Sequence, residues 1–361
     1  MVVHVITELA KVFLRLGLTG FGGPAAHIAL MREQVVTRRG WVTEQDFLDM
    51  LAATNLIPGP NSTELAIHIG LRHGGWLGFV VAGVCFVLPA ACIVGALAAL
   101  YTAYGLLPEL EWILWAVKPV VLLIVGQALL GLGRVALKSR QLVLLAGAAA
   151  IANLLGVHEL AVLLGAGAVY GVRRWMLVPL PAAVAVAPTA LGLFLSFLKI
   201  GSVLFGSGYV LLAFLRGEFV ERLAWITEGQ LFDAIAVGQA TPGPLFTAAT
   251  FIGYLVAGWP GAVTATVGMF LPAFVFVALS GRLIPHLRKS ATAGRVLDAV
   301  NAASLALMAV VTFELGVAVI TNAGAAAIGG VAGFLLWRYR VSSSWLLLGA
   351  ALLGYLLRLA S

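Results

Sequence analysis

Asn55-Leu56-Ile57-Pro58-Gly59-Pro60-Asn61-Ser62-Thr63 and, 184 residues on, Gln239-Ala240-Thr241-Pro242-Gly243-Pro244-Leu245-Phe246-Thr247 decide how this chain is read. Proline removes a backbone donor and breaks a helix, and glycine adds conformational freedom. Yet each Pro-Gly-Pro ends an apolar stretch, Phe47–Ile57 in one case and Leu231–Ala240 in the other. Two breaks of the same kind, at matched positions inside apolar sequence, point to a duplicated element with a job.

The duplication extends well beyond the breaks. Phe13–Thr63 aligns with Phe197–Thr247 without gaps, and 18 of the 51 positions are identical. Chance in such a composition gives roughly one in fifteen. Shared positions include Gly17/Gly201, Phe21/Phe205, Gly22/Gly206, Arg32/Arg216, Arg38/Arg222, Trp41/Trp225, Thr43/Thr227, Glu44/Glu228 and Asp49/Asp233. After a one-residue deletion the match resumes at Gly70/Gly253, Gly75-Trp76/Gly258-Trp259 and Leu88-Pro89-Ala90/Leu271-Pro272-Ala273. The chain reads as two repeats, residues 1–190 and 191–361, that pack as one domain.

Composition sets the solvent. Of 361 residues, 61% are apolar and 10% charged, and mean hydropathy is +1.05. A water-soluble surface needs roughly a quarter of residues charged, so lipid covers most of this chain. Gly75–Leu100, Trp112–Leu132, Trp175–Phe197 and Pro260–Gly281 are each long and apolar enough to cross a bilayer core, which takes about 20 helical residues. Gln141–Gly156, Leu160–Gly171, Thr321–Trp337 and Trp345–Leu357 are shorter. The expectation is an all-α polytopic membrane protein with about ten segments, some of them broken or re-entrant.

The charge of +7 sits in short loops, at Arg134/Lys138/Arg140, Arg173/Arg174, Arg282/Arg288/Lys289/Arg295 and Arg338/Arg340. This is how cytoplasmic loops are marked, and it calls for no nucleic acid. Tyr101–Glu111 carries Glu109 and Glu111 and no base, whereas its counterpart Gly281–Arg295 carries four bases and no acid. Equivalent loops on opposite faces mean an inverted repeat. Inverted repeats place a substrate site near the membrane midplane where the halves meet, and give two exchangeable access states.

Each break should start a new helix, with Pro60 or Pro244 in its first turn. A free helix N-terminus presents unpaired N–H groups and a positive dipole end, which suit an anion. A simple kink is the bland alternative for one break and less apt for a matched pair. The expected binding residues are therefore Pro58, Gly59, Pro60 and Thr63 with Pro242, Gly243, Pro244 and Thr247, joined by Asn55/Gln239. Gly22 and Gly206 allow a close backbone approach, or serve helix packing. Arg15/Lys199 and Lys118 are bases at depth, where charge is costly. Lys118 aligns with Asn301. Snorkelling to the interface is the other reading for Arg15 and Lys199.

For coupled protons the candidates are Glu64, His68 and Glu314. Glu64 and His68 are four apart and on one face; a pair that only satisfies itself is the alternative. The second half has Ala248 and Phe251 or Ile252 there. The recurring Arg, Glu and Asp pairs read as an interfacial charge network, with Trp41/Trp225 as surface anchors. Histidines are scattered singly, and no metal motif, Walker sequence or redox centre is legible, so neither an enzyme nor an ATP-driven pump is expected, and no cofactor. Gly-rich runs serve a homodimer interface or internal packing equally well.

Phe21-Gly22-Gly23-Pro24, Trp41-Val42-Thr43-Glu44, Asn55–Pro60 and Pro89 resemble the chromate ion transporter family. Phe205-Gly206, Trp225-Ile226-Thr227-Glu228, Gly238–Pro244 and Leu271-Pro272-Ala273 are similar to its C-terminal repeat. The likeness covers most of the chain and fits the long two-domain form. It implies a multi-pass inner (plasma) membrane protein that confers chromate resistance by exporting chromate with the proton motive force, with sulfate as a competing dianion. From residues alone the reading stops at an oxyanion transporter, with an anion channel or a sulfate-type importer as alternatives. Gly23-Pro24 against Ser207-Gly208, and Lys118 against Asn301, depart from strict two-fold symmetry.

Overall fold

A computed structural model describes residues 2–21, 23–104, 108–171, 188–205, 210–289, 291–339 and 341–360. Among them there are fourteen α-helices and no strand, as lipid demands of a chain that must satisfy its backbone internally. Five helices are long and apolar enough to cross a membrane, and four apolar ones are shorter. The protein is an all-α polytopic membrane protein.

The matched Trp-x-Thr-Glu motif has a plain local cause. Thr43 caps α3 (Glu44–Thr54) by accepting from the Asp46 N–H at 3.0 Å. Thr227 caps α10 (Glu228–Ala240), accepting from Gln230 N–H at 3.2 Å while the Gln230 side chain accepts from Thr227 N–H at 2.9 Å. This reciprocal arrangement is a capping box. The preceding arginines fold back onto the glutamates. Arg32 Nε lies 2.8 Å from Glu44, and Arg216 holds Glu228 at the same distance. The expected charge network thus forms in both repeats. Asp233 stands apart from it: it is buried and accepts the Tyr101 hydroxyl at 2.9 Å, whereas Asp49 is exposed.

The two longest helices are hairpins. α4 (Asn61–Tyr104) turns at Gly75, whose φ of +62° only glycine adopts readily, and α11 (Ala248–Lys289) turns at Gly258, φ +60°. A methyl group on Gly70 would collide with the Gly78 carbonyl, and one on Gly253 with that of Gly261. Eight residues along a straight helix span about 12 Å, so such contact requires antiparallel arms. The hydroxyls of Thr250 and Thr266 hydrogen bond at 2.7 Å across the second hairpin. The short arm of α4, residues 61–74, is about 21 Å long by helix rise. Gly75, expected to begin a span, is therefore the hinge between a short arm and the spanning arm 76–104.

The chain divides into two compact units, not one, and each draws on both repeats. The first comprises Met1–Leu110, Pro188–Leu204 and Phe232–Gly281. It holds α1 (Val2–Thr19), α2 (Gly23–Arg32), α3, α4, α8 (Ala190–Val203), most of α10 and most of α11. α1 lays Leu9, Val12, Phe13 and Leu16 against Phe86 and Ala82 of α4. Gly17 lets it close on the Phe86 carbonyl beside Pro89, and Gly201 does the same for α8 against Met269 and Pro272. A second apolar cluster joins the repeats, with Ile57, Ile67 and Phe79 packed on Ala273 and Val277.

The second unit comprises Glu111–Ala187, Phe205–Leu231 and Arg282–Ser361. Its axis is α12 (Ala291–Val319), packed against α6 (Arg140–Leu154), α7 (Glu159–Gly171) and the short α9 (Leu211–Leu215). α5 (Pro108–Ala136), α13 (Ala323–Arg338) and α14 (Ser343–Ala360) complete it. Lys138 and Asp298 pair at 3.0 Å between α5's end and α12.

Candidate functional site

Both Pro-Gly-Pro segments lie in the first unit and are buried. The first separates α3 from α4, the second α10 from α11. Gly59 has φ +139° and Gly243 φ +95°, values that explain why glycine stands between the prolines. The glycine N–H groups are used in a matched exchange. Gly59 N–H donates to the Leu204 carbonyl at 2.8 Å, and Gly243 N–H donates to the Gly20 carbonyl at 2.9 Å. Gly20 and Leu204 are themselves 184 residues apart, at the ends of α1 and α8. Each break is thus tied to the end of the other repeat's first helix. A contact in which i meets j and j meets i is the mark of a two-fold relation between the partners.

The surroundings repeat the exchange. A methyl on Gly243 would fall 2.5 Å from Ala90 Cβ and 3.2 Å from the Gly17 carbonyl. On the other side, Ala273, the counterpart of Ala90, lies 3.8 Å from where a Gly59 methyl would stand. The helices beyond the breaks begin differently. α4 starts at once, with Thr63 and Glu64 N–H groups both donating to the Pro60 carbonyl at 2.8 and 3.0 Å. Pro60 therefore stands just outside the first turn. After Pro244 comes a 3₁₀ turn, Leu245–Thr247, and α11 starts only at Ala248.

Side chains break the symmetry. Thr63 Oγ1 is buried without a hydrogen-bond partner among the described residues, whereas Thr247 Oγ1 donates to the Pro244 carbonyl at 2.8 Å. Glu64 is fully buried; neither carboxyl oxygen has a hydrogen-bond partner among the described residues, and Oε1 presses against Gly59. His68 Nε2 is also buried without a partner, so the two do not satisfy each other. Asn55 and Gln239 diverge too. Asn55 is exposed and accepts from Asn61 at 2.9 Å, while Gln239 keeps a buried, unpartnered amide nitrogen.

The remaining candidates lie apart from this cluster in different ways. Arg15 is exposed, on the face of α1 away from its buried stripe of Leu9, Val12, Phe13, Leu16 and Gly17. Lys199 is half-buried at the equivalent place on α8. Lys118 on α5 and Asn301 on α12 belong to the second unit and are half-buried there. Gly22 and Gly206 fall outside the described residues. Glu314 is on α12, where its carboxylate lies 2.8 Å from Arg216. Arg216 also holds Glu221 and Glu228. Burial alone would weaken that guanidinium's charge, but the hydrogen bonds it donates to Glu228 and the surrounding carboxylates hold its pKa above the ordinary arginine value. Arg216, Glu221 and Glu314 line a polar cavity of about 390 Å³ in the second unit, together with Glu159, which lies against Gly217, and Arg222, which pairs with Glu218.

Sequence reading passed over His27. It is 2% exposed on α2, with Nε2 2.8 Å from the Gly20 carbonyl and Nδ1 3.4 Å from Ser62 Oγ. The carbonyl that anchors the second break is therefore shared with a histidine that touches the first turn of α4. Its counterpart is Leu211. A solitary histidine has no spacing signal, and only the fold brings it to the junction.

Comparison with known proteins agrees with this architecture. The chromate transporter family profile matches residues 7–172 and again 191–355. The chain is 32% identical to a chromate transport protein of Cupriavidus metallidurans over 97% of this chain and 93% of that one. It is 31% identical to one of Pseudomonas aeruginosa, covering 97% and 92%, and 32% identical to a probable chromate transport protein of Synechococcus elongatus, covering 83% and 81%. No solved structure is a significant match. With the profile matched twice, over nearly the whole length, and two buried breaks locked to each other's repeat, the chain belongs to the chromate transporter family.

Proposed function

We propose that this protein is a secondary transporter that exports chromate across the inner membrane, driven by the proton motive force, with sulfate as a competing dianion. The anion binds in the first unit, between the two Pro-Gly-Pro breaks, near the membrane midplane. The observation that carries this reading is the reciprocal pair of hydrogen bonds, Gly59 to Leu204 and Gly243 to Gly20. It fixes two buried half-helix beginnings in one two-fold arrangement, and half-helix N-termini are the ends that attract anions in transporters built from inverted repeats. Thr63 and Gln239 supply buried donors that have no hydrogen-bond partner among the described residues. Arg15 and Lys199 are the matched bases that draw the dianion in; Lys118 and Asn301, the other matched polar pair, belong to the second unit. Opposite charge on equivalent loops supports inversion of residues 1–190 against 191–361.

The names of the relatives support transport. The test is uptake of labelled chromate by proteoliposomes of the purified protein under an imposed pH gradient of either polarity, with and without excess sulfate. Accumulation against the chromate gradient that collapses with a protonophore is the expected result. Dissipation of gradients without accumulation would identify a channel. No flux from folded protein would rule out chromate.

A further inference from the structure

We propose that the site takes up one proton, on Glu64, together with each tetrahedral dianion, so that the two move as a pair. This rests on the anion reading above and adds the sign of the coupling.

The geometry sets a conflict of charge. Glu64 stands in the first turn of α4, directly after the first break, with its carboxyl against Gly59. Both carboxyl oxygens are buried and lack a hydrogen-bond partner among the described residues, as do Thr63 Oγ1 beside it and His68 Nε2 one turn on. As a carboxylate, Glu64 is a tethered anion at the positive end of the short arm, the place proposed for the substrate. A dianion arriving there meets like charge where little water screens it. Once Glu64 carries a proton, drawn from the aqueous phase onto a carboxyl oxygen, that conflict is gone. By linkage the bound dianion must equally favour the proton.

The other charged groups on the elements packed around Glu64 do not cancel this. On α1, Glu8 and Lys11 pair with each other at 3.6 Å, and Arg15 is exposed. On α3, Glu44 is held by Arg32 of α2, Asp46 lies 3.8 Å from Arg72, and Asp49 is exposed. His27 reaches the first turn through Ser62, and Ala273 of α11 stands near Gly59. Lys199 of α8 is half-buried five residues before Leu204. The second repeat has Ala248 in place of Glu64, which limits the device to one proton per chain.

A dianion with one proton carries a single negative charge. An inside-negative potential drives that charge outward, while an alkaline interior opposes the proton's exit. The electrical part of the proton motive force therefore powers export. An exchanger would need proton and anion to exclude each other, which a carboxylate at the anion's own helix end does not do.

The test is a proton count. Chromate is added to purified, weakly buffered protein at pH 8, where it is a dianion, and binding and proton uptake are measured together by calorimetry in two buffers of different ionisation enthalpy. About one proton taken up per chromate bound is expected. In wild type the affinity should fall about tenfold per pH unit above the ionisation of Glu64. Glu64→Gln, checked for folding by size-exclusion chromatography, should bind chromate with no proton uptake and a flat pH profile. Chromate binding to wild type with proton release, or with no exchange, overturns the proposal and leaves the anion site standing. So does wild-type uptake persisting in Glu64→Gln. Folded wild type that binds no chromate overturns both.

Discussion

The two breaks share a backbone and differ in nearly every polar side chain around it. Gly59 and Gly243 make equivalent hydrogen bonds, to Leu204 and Gly20, and both hold φ values reserved for glycine. Around the first, Ser62, Thr63, Glu64, His68 and His27 converge; around the second stand Phe246, Thr247, Ala248, Ile252 and Leu211. Duplication preserved what the packing requires, because a glycine that lets two chain segments touch cannot change without moving both. The polar side chains beside the break were free to diverge. Titratable chemistry therefore collected on one half of a two-fold frame.

Substituting the glycines should separate the halves most sharply. Gly243→Ala meets a positive φ and the Ala90 methyl, which cannot swing away. The combined cost is about 2–4 kcal/mol, and a large fall in thermal midpoint by fluorescence-detected chromatography is expected. Gly59→Ala meets the end of Glu64, which can move, so its midpoint should fall less. Equal losses would mean the two breaks are equally rigid.

Arg15→Ala and Lys199→Ala should each take chromate flux in proteoliposomes to background while leaving the thermal midpoint unchanged. Their helices are held by the opposite face, through Phe13 and Leu16 or Phe197 and Ile200. Normal flux in both would remove the matched bases from the anion's route.

His27→Leu copies the second repeat's Leu211 into the first. It removes the ring contact to the Gly20 carbonyl, which keeps the Gly243 N–H, so the expected loss is about 1 kcal/mol in thermal stability. An unchanged midpoint would show that the histidine does not hold the junction.

The smallest effects come from the threonines. Thr247→Val loses the bond to the Pro244 carbonyl and should cost about 1 kcal/mol. Thr63→Val removes a hydroxyl that has no partner, so its stability should change by less than about 0.5 kcal/mol, while its chromate affinity falls. The reverse ranking of stabilities would place the spare donor on the other half.

Much of this was legible before any coordinates. Low charge and high hydropathy require lipid, and a gap-free match from Phe13 to Thr63 reveals the duplication. Other features lay beyond periodicity. Gly75 read as the start of a span and Gly258 as its matched residue just before one, since the two arms of a hairpin carry the same apolar composition as one long helix. The matched Thr43/Thr227 were legible only as identical positions of the repeat and proved to be helix caps. Asp49/Asp233 looked equivalent, but only Asp233 is buried, against Tyr101.

Sequence alone determined that the chain is a helical membrane protein with two breaks, because hydropathy and proline chemistry are local and additive along the chain. Tertiary structure alone decided that each break closes on the other repeat, that the compact units draw on both halves, and that His27 reaches Ser62 at the start of α4. Those facts depend on which surfaces meet between segments far apart in the chain, Gly59 with Leu204 and Gly243 with Gly20, and no local rule of hydrogen bonding or burial encodes such a meeting.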